Sequence, residues 1–297
     1  MKYFLTLFAL LFTGLVYAFQ IETKPINVIM PFPPGGGVDQ TFRHFEKYVH
    51  NKNIKLVPVY KPGANGIIGV NEIFMAKPDG YTIFLGTTGS IAEFKIKNPD
   101  KDIIPISLIR VSIMAVVGKN NSNIKTFSNL ETAIKNNEKL FAGFSAPGQK
   151  IVINQILERI KNTDNVELVS YKGAASLLQD LSGSHVNFAV VPFSVAKPFL
   201  DSNKIILLAT DSNYQIENYN TTLLPKYFSS WDKVDGFILA LPPNTPKHVV
   251  EIWTKIIVDY LGDPVIIKEF KEDFMNILPL GSNFAELMIQ KSINKLK

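Results

Sequence analysis

Hydrophobic residues fall along this chain in short runs, separated by turn residues and by stretches long enough for helices. Ile26-Asn27-Val28-Ile29-Met30 reads as a buried strand, Pro31 to Gly37 as a turn and Val38 to Val49 as a helix. The pattern repeats with a strand at Ile54 to Tyr60, a turn at Pro62 to Gly66 and a helix to about Met75. Thr82 to Leu85 is a third strand, ending in the polar loop Gly86-Thr87-Thr88-Gly89-Ser90. Phe141 to Phe144, Val166 to Ser170, Val186 to Val191 and Ile205 to Ala209 read as further strands, and the chain from Thr245 onward is helix-rich. Such alternation predicts βαβ units and an α/β fold of mostly parallel sheets flanked by helices. Two sheet-forming blocks predict two lobes. One is expected over 19–115 and 236–297, the other over 116–235, with a crossover near Val116 to Asn121 and a return near Val234 to Leu241.

The first residues carry a different pattern. Lys2 precedes an apolar run of about 13 residues, Phe4 to Val16, which is short for a bilayer span. Val16-Tyr17-Ala18 follows with residues a signal peptidase tolerates, so Met1 to Ala18 is expected to be a cleaved secretory signal that delivers the mature chain to the periplasm. No later stretch reaches about 18 apolar residues.

Composition then excludes several classes. The chain has 297 residues, 46% hydrophobic and 19% charged, enough for a sizeable core. It has no cysteine, hence no disulfide scaffold, thiolate metal site or cysteine nucleophile. The four histidines, His44, His50, His185 and His248, form no H-E-x-x-H pair, and no metal or cofactor is expected. The net charge of +5 comes from scattered lysines rather than a dense basic stripe, which argues against nucleic acid.

Three strand-to-helix turns have the chemistry of an anion site. Pro31-Phe32-Pro33-Pro34-Gly35-Gly36-Gly37-Val38-Asp39 lets backbone approach a ligand, and a helix start offers N–H donors and a favourable dipole. A carboxylate or phosphate suits it; a tight βα turn accounts for the composition equally well. Neither the P-loop lysine nor the G-x-G-x-x-G fingerprint is present. Asp39 either takes part or caps the helix start. Thr87, Thr88, Gly89 and Ser90 offer hydroxyls and amides, either to the same ligand or as helix caps. Ser145-Ala146-Pro147-Gly148-Gln149, in the second block, would face them across a cleft. Tyr171-Lys172-Gly173 is a fourth such turn, whose lysine either contacts an acid or is solvated. No catalytic set assembles: Ser145 is not in a G-x-S-x-G elbow, and Ser184 and His185, as neighbours along the chain, would point apart in a strand.

The stretch Pro31 to Asp39 with Arg43, then Lys61-Pro62-Gly63-Ala64-Asn65-Gly66-Ile67-Ile68-Gly69, Lys77-Pro78-Asp79-Gly80-Tyr81-Thr82, Tyr171 to Ala175, Leu181-Ser182-Gly183, Leu207 to Thr210 and Phe237 to Pro246 together resemble one family. It is that of the tripartite tricarboxylate transporter solute-binding proteins, also called the Bug family. The resemblance covers nearly the whole mature chain and implies a two-lobed periplasmic binding protein (type II, Venus-flytrap). It implies small carboxylate ligands: di- or tricarboxylates, acidic amino acids or aromatic acids. It implies no catalysis, and as partners a large and a small integral-membrane transporter subunit. The first-lobe contacts would be Phe32, Pro34, Gly35, Gly36, Gly37, Asp39, Thr87, Thr88, Gly89 and Ser90, partly through ordered water. Those of the second lobe would be Ser145, Gly148, Gln149, Tyr171, Lys172, Gly173, Pro192 and Phe193. The chain departs from the family pattern after Ser90, where Asn98 to Asp102 is short, at Gln149-Lys150, and at Pro192-Phe193. These places lie in the second lobe or its rim, where ligand identity is set. A monomer is the natural form for such a shuttle. A ligand-sensing subunit for a membrane histidine kinase would use the same pocket. A hydrolase using Ser145 or Ser90 lacks an evident base.

Overall fold

The computed structural model describes residues 24–161, 164–233, 235–272, 275–276 and 281–297. The expected signal segment, Met1 to Ala18, lies outside them. The described residues form two six-stranded sheets. The first holds β1 (Ile26–Met30), β2 (Leu56–Tyr60), β3 (Thr82–Thr87), β4 (Ile104–Ser112), β11 (Phe237–Leu241) and β12 (Met275–Asn276), in the order β12-β4-β11-β3-β1-β2. The second holds β5 (Met114–Lys119), β6 (Leu140–Phe144), β7 (Val166–Ser170), β8 (Phe188–Pro192), β9 (Ile205–Thr210) and β10 (Thr222–Leu223), in the order β10-β9-β5-β8-β6-β7.

The two-lobed α/β fold is as expected, with mixed sheets. β1, β2 and β3 pair in parallel, as do β6, β7 and β8. β11 runs against both β3 and β4, and β5 against both β8 and β9. These reversed strands are where the chain changes sheet. It leaves the first sheet at Ile113, between β4 and β5, and returns with β11. The passage therefore precedes the expected Val116 to Asn121, because that apolar run is β5 itself. Both reversed strands are central. β11 is buried throughout, as is β5 except at Lys119, so both read as unbroken apolar runs.

Helices cover both sheets. The first six are α1 (Gly37–His50), α2 (Ile67–Phe74), α3 (Thr88–Lys97), α4 (Phe127–Lys135), α5 (Pro147–Ile160) and α6 (Ala174–Ser182), of which α1, α3, α5 and α6 follow strands that end at the cleft. In α1, Val38, Phe42, Phe45 and Val49 are buried at helical spacing, which seats one face on the first sheet. The loop expected at Gly86 to Ser90 is shorter than read. Gly86 and Thr87 end β3, and Thr88-Gly89-Ser90 is already the first turn of α3, because Thr87 and Ser90 form a reciprocal cap. The periodicity also passed over β4. Pro105 and Arg110 interrupt its apolar pattern, yet Arg110 is fully buried.

Candidate functional site

The lobes meet around a small cavity of about 30 Å³, the scale of a single water molecule. Strand ends and helix starts of both lobes converge there, as α/β folds arrange their ligand crevices. From the first lobe come Phe32, Pro33, Gly36, Gly37, Val38 and Thr87; from the second, Met114, Ser145, Ala146, Gln149, Gly173, Ala174 and Pro192; and from the returning connection, Asp235 and Phe237. The lobes touch closely. A Cβ on Gly173 would lie 2.5 Å from Pro33 Cγ across the cleft, so only glycine fits.

The start of α1 is open toward this space. Gly36 precedes the helix in extended conformation, and no side chain caps the amides that follow. Asp39 is turned back instead. It accepts from Gly35 N–H at 3.0 Å and from Tyr60 OH at 2.7 Å, with Arg43 3.6 Å away. It is a brace of its own loop and does not line the cavity. Pro34 and Gly35 are exposed on the outer side of that turn. Behind the loop lies Arg110, which the sequence reading missed. Its Nη2 donates to Gly37 O and its Nε to Thr41 Oγ1, both at 2.7 Å, and the guanidinium lies 4.4 Å from the Phe237 ring centre. An arginine inside an apolar strand run was the available signal, since a buried charge requires partners.

The start of α3 differs. Ser90 N–H donates to Thr87 Oγ1 at 3.1 Å, and Ser90 Oγ to Thr87 O at 2.8 Å. Thr88 Oγ1 donates to Asp235 Oδ1 at 3.2 Å and Gly89 N–H to the same oxygen at 3.1 Å. Of this expected anion loop only Thr87 lines the cavity; the amide of Gly89 already holds a carboxylate from within the protein. Asp235 also lies flat against the start of α5. A Cβ on Gly148 would come within 2.1 Å of its carboxylate, so the second residue of that helix is a glycine. Burial pushes the Asp235 carboxyl up to about 6, against the pull of the bonds from Gly89, Thr88 and Gly236. Asp235 was not among the expected site residues. A single acid directly before a buried strand gives no sign of where its side chain goes.

In the second lobe, Gln149 Oε1 accepts from Ser145 N–H at 2.6 Å and from Ser145 Oγ at 3.1 Å, bracing the turn. Tyr171 and Lys172 line a neighbouring cavity of about 280 Å³ that shares Phe32 and Ser145 with the first. The Tyr171 hydroxyl donates to Asp180 at 2.8 Å, and burial with this bond pushes the phenol up to about 12. Pro192 lines the cleft, but Phe193 does not. It is 1% exposed and packs edge-on against Tyr219, 5.2 Å between ring centres, because it opens a helix whose buried face turns into the second lobe's core. No group of three or more His, Asp or Glu able to hold a metal occurs among the described residues. None of their helices is long and apolar enough to cross a membrane.

Comparison with known proteins bears on the same cleft. The family model described as "Tripartite tricarboxylate transporter family receptor" matches residues 52–297. A protein of Pseudomonas sp. strain P51, from the tcbD-tcbE intergenic region, is 24% identical over 261 residues, covering 84% of this chain and 77% of that one. Among solved structures, the periplasmic binding protein BugD superposes with a TM-score of 0.79 at 22% identity, over 92% of this chain and 95% of its own. An R. palustris protein solved with adipate gives a TM-score of 0.81 at 19% identity, over the same shares.

Proposed function

The chain belongs to the tripartite tricarboxylate transporter receptor family, a family of solute-binding receptors and not of enzymes, and from that premise we propose that it captures a small carboxylate in the cleft between its lobes. It would do so in the periplasm and pass the ligand to integral-membrane subunits of a transporter. The observation that carries this reading is the α1 start. Extended Gly36 and the uncapped amides after it face the cleft, and Arg110 is held behind them through Gly37 O. Helix-start amides with a positive dipole, backed by a fixed cation, suit a carboxylate. Ser145 and Thr87 line the cleft from opposite lobes, so a ligand touching both would favour closure. The R. palustris protein solved with adipate, which shares the fold, supports the class of ligand.

A thermal-shift screen of the purified mature protein against small carboxylates tests it. A ligand at about 100 times its dissociation constant adds roughly 2.7 kcal/mol, several degrees in Tm for a chain of this size. At least one carboxylate should raise Tm and give a saturable heat by calorimetry. Silence from every carboxylate in both measurements would overturn the proposal.

A further inference from the structure

Two buried charged side chains stand at the helix starts that meet at the cleft, Asp235 in its wall and Arg110 behind it, and they differ in sign. Arg110 is fully buried behind the α1 start, bonded to Gly37 O and stacked under Phe237. Asp235 is buried at the α3 start, bonded to Thr88 and Gly89, and it is the one charged residue among those lining the cavity. The rest of the lining is mostly apolar, with Phe32, Val38, Met114, Pro192 and Phe237, and neutral where it is polar, at Thr87, Ser145 and Gln149. The cleft is thus polarised from one helix start to the other.

We propose that Asp235 sets the ligand class of this cleft: it takes acids with a single carboxylate and an ammonium group, and rejects dicarboxylates. The inference rests on the carboxylate reading above and refines it. The α1 start receives the ligand's carboxylate. The α3 start cannot take a second one, because Asp235 already uses its hydroxyl and amide donors. A second ligand carboxylate there would face Asp235 in a water-poor space, where like charges repel strongly and the pair is tolerated only after taking up a proton, which costs affinity at pH 7.5. An ammonium meets a carboxylate that is already oriented. Thr88 and Gly89 both donate to Oδ1, which leaves an ionised carboxylate with acceptor capacity for a further donor. The apolar walls between the two ends suit a hydrocarbon spacer.

Calorimetry at pH 7.5 with matched-length sets tests this: 4-aminobutanoate with succinate and butanoate, 5-aminopentanoate with glutarate and pentanoate, 6-aminohexanoate with adipate and hexanoate, and leucine with 4-methylpentanoate. In the wild type the tightest amino acid should bind at least tenfold more tightly than any diacid and than its amine-free partner. In Asp235→Asn, which keeps the shape and an acceptor for Gly89, that preference should fall at least tenfold. A wild type that binds a diacid as tightly as any amino acid overturns the inference and leaves the carboxylate reading in place, with no variant needed. A preference unchanged in Asp235→Asn overturns it as well. If no acid of the panel and no other carboxylate binds the wild type, both readings fall together.

Discussion

The starts of α1 and α3 lie beside each other at the ends of neighbouring strands; a glycine-rich turn leads into α1, while α3 follows its strand directly and carries hydroxyls and a glycine in its first turn. In one, the amides face the cleft and the nearby carboxylate, Asp39, is occupied by Gly35 and Tyr60. In the other, Thr87 caps the helix and Asp235 takes the amide of Gly89. The same local chemistry therefore leaves one helix start open and the other filled by a carboxylate of the protein itself. A helix start binds an outside anion only where the protein brings no anion of its own. The filled start also joins the lobes, since Asp235 rests on Gly148 of α5.

The largest expected effect comes from filling the open start as well. A Cβ at Gly36 meets only Pro33 O, at 3.8 Å, so a side chain fits. Gly36→Asp should weaken carboxylate binding by about 100-fold or more, through like-charge repulsion in a closed site, with Tm of the free protein nearly unchanged. Undiminished affinity in a folded variant would remove the α1 start from the site. Closing the lobes is the next test. Gly173→Ala pushes a methyl into Pro33 across the cleft and should cost about tenfold in affinity, because only the closed form suffers. An equal loss of Tm in the free protein would show that the contact supports folding instead.

The filled start should also respond to pH. Burial pushes both Asp235 and Asp211 up to about 6; Asp211 accepts from Met114 N–H at 2.7 Å, where the chain enters the second lobe. Between about pH 4 and 6 the native state holds protons that the unfolded chain has released. These two groups therefore favour folding at the acid end of that window, and their contribution is lost as pH rises through 6. Glu131 and Glu269, held low by Lys135 and Lys47, act in the opposite sense and only as pH falls below the ordinary carboxylate range. Tm should fall by a few degrees from pH 5 to 7.5, on the order of 1 kcal/mol per group, and Asp235→Asn and Asp211→Asn should each remove part of the fall. A flat profile would contradict the burial of both carboxyls. The smallest effect is local. Thr87→Ala deletes the α3 cap and should cost about 1 kcal/mol in denaturant unfolding, with m unchanged.

Much of the frame was legible in the chain. The strands at Ile26–Met30 and Val166–Ser170 and the helix of α1 follow from local pattern, because burial on one face imposes its period on the residues. β4 was not legible, since Arg110 looks like a solvent-facing residue until Thr41, Gly37 and Phe237 are brought around it. Pro34 and Phe193 share turns with true cleft residues but point outward and into the core, and a turn's composition does not state which way each side chain faces.

What the sequence by itself determined is the alternation of strand and helix, the turns that place helix starts at strand ends, and the chemistry those starts offer. These are properties of neighbours in the chain, decided by backbone sterics and by the period of burial. Only the tertiary structure decided which start is open. Gly89 and Asp235 stand 146 residues apart, as Gly37 and Arg110 stand 73 apart, and no local rule links them. Such charges come together because a buried carboxylate or guanidinium must find donors or acceptors, and the strands returning between lobes deliver them to the same place.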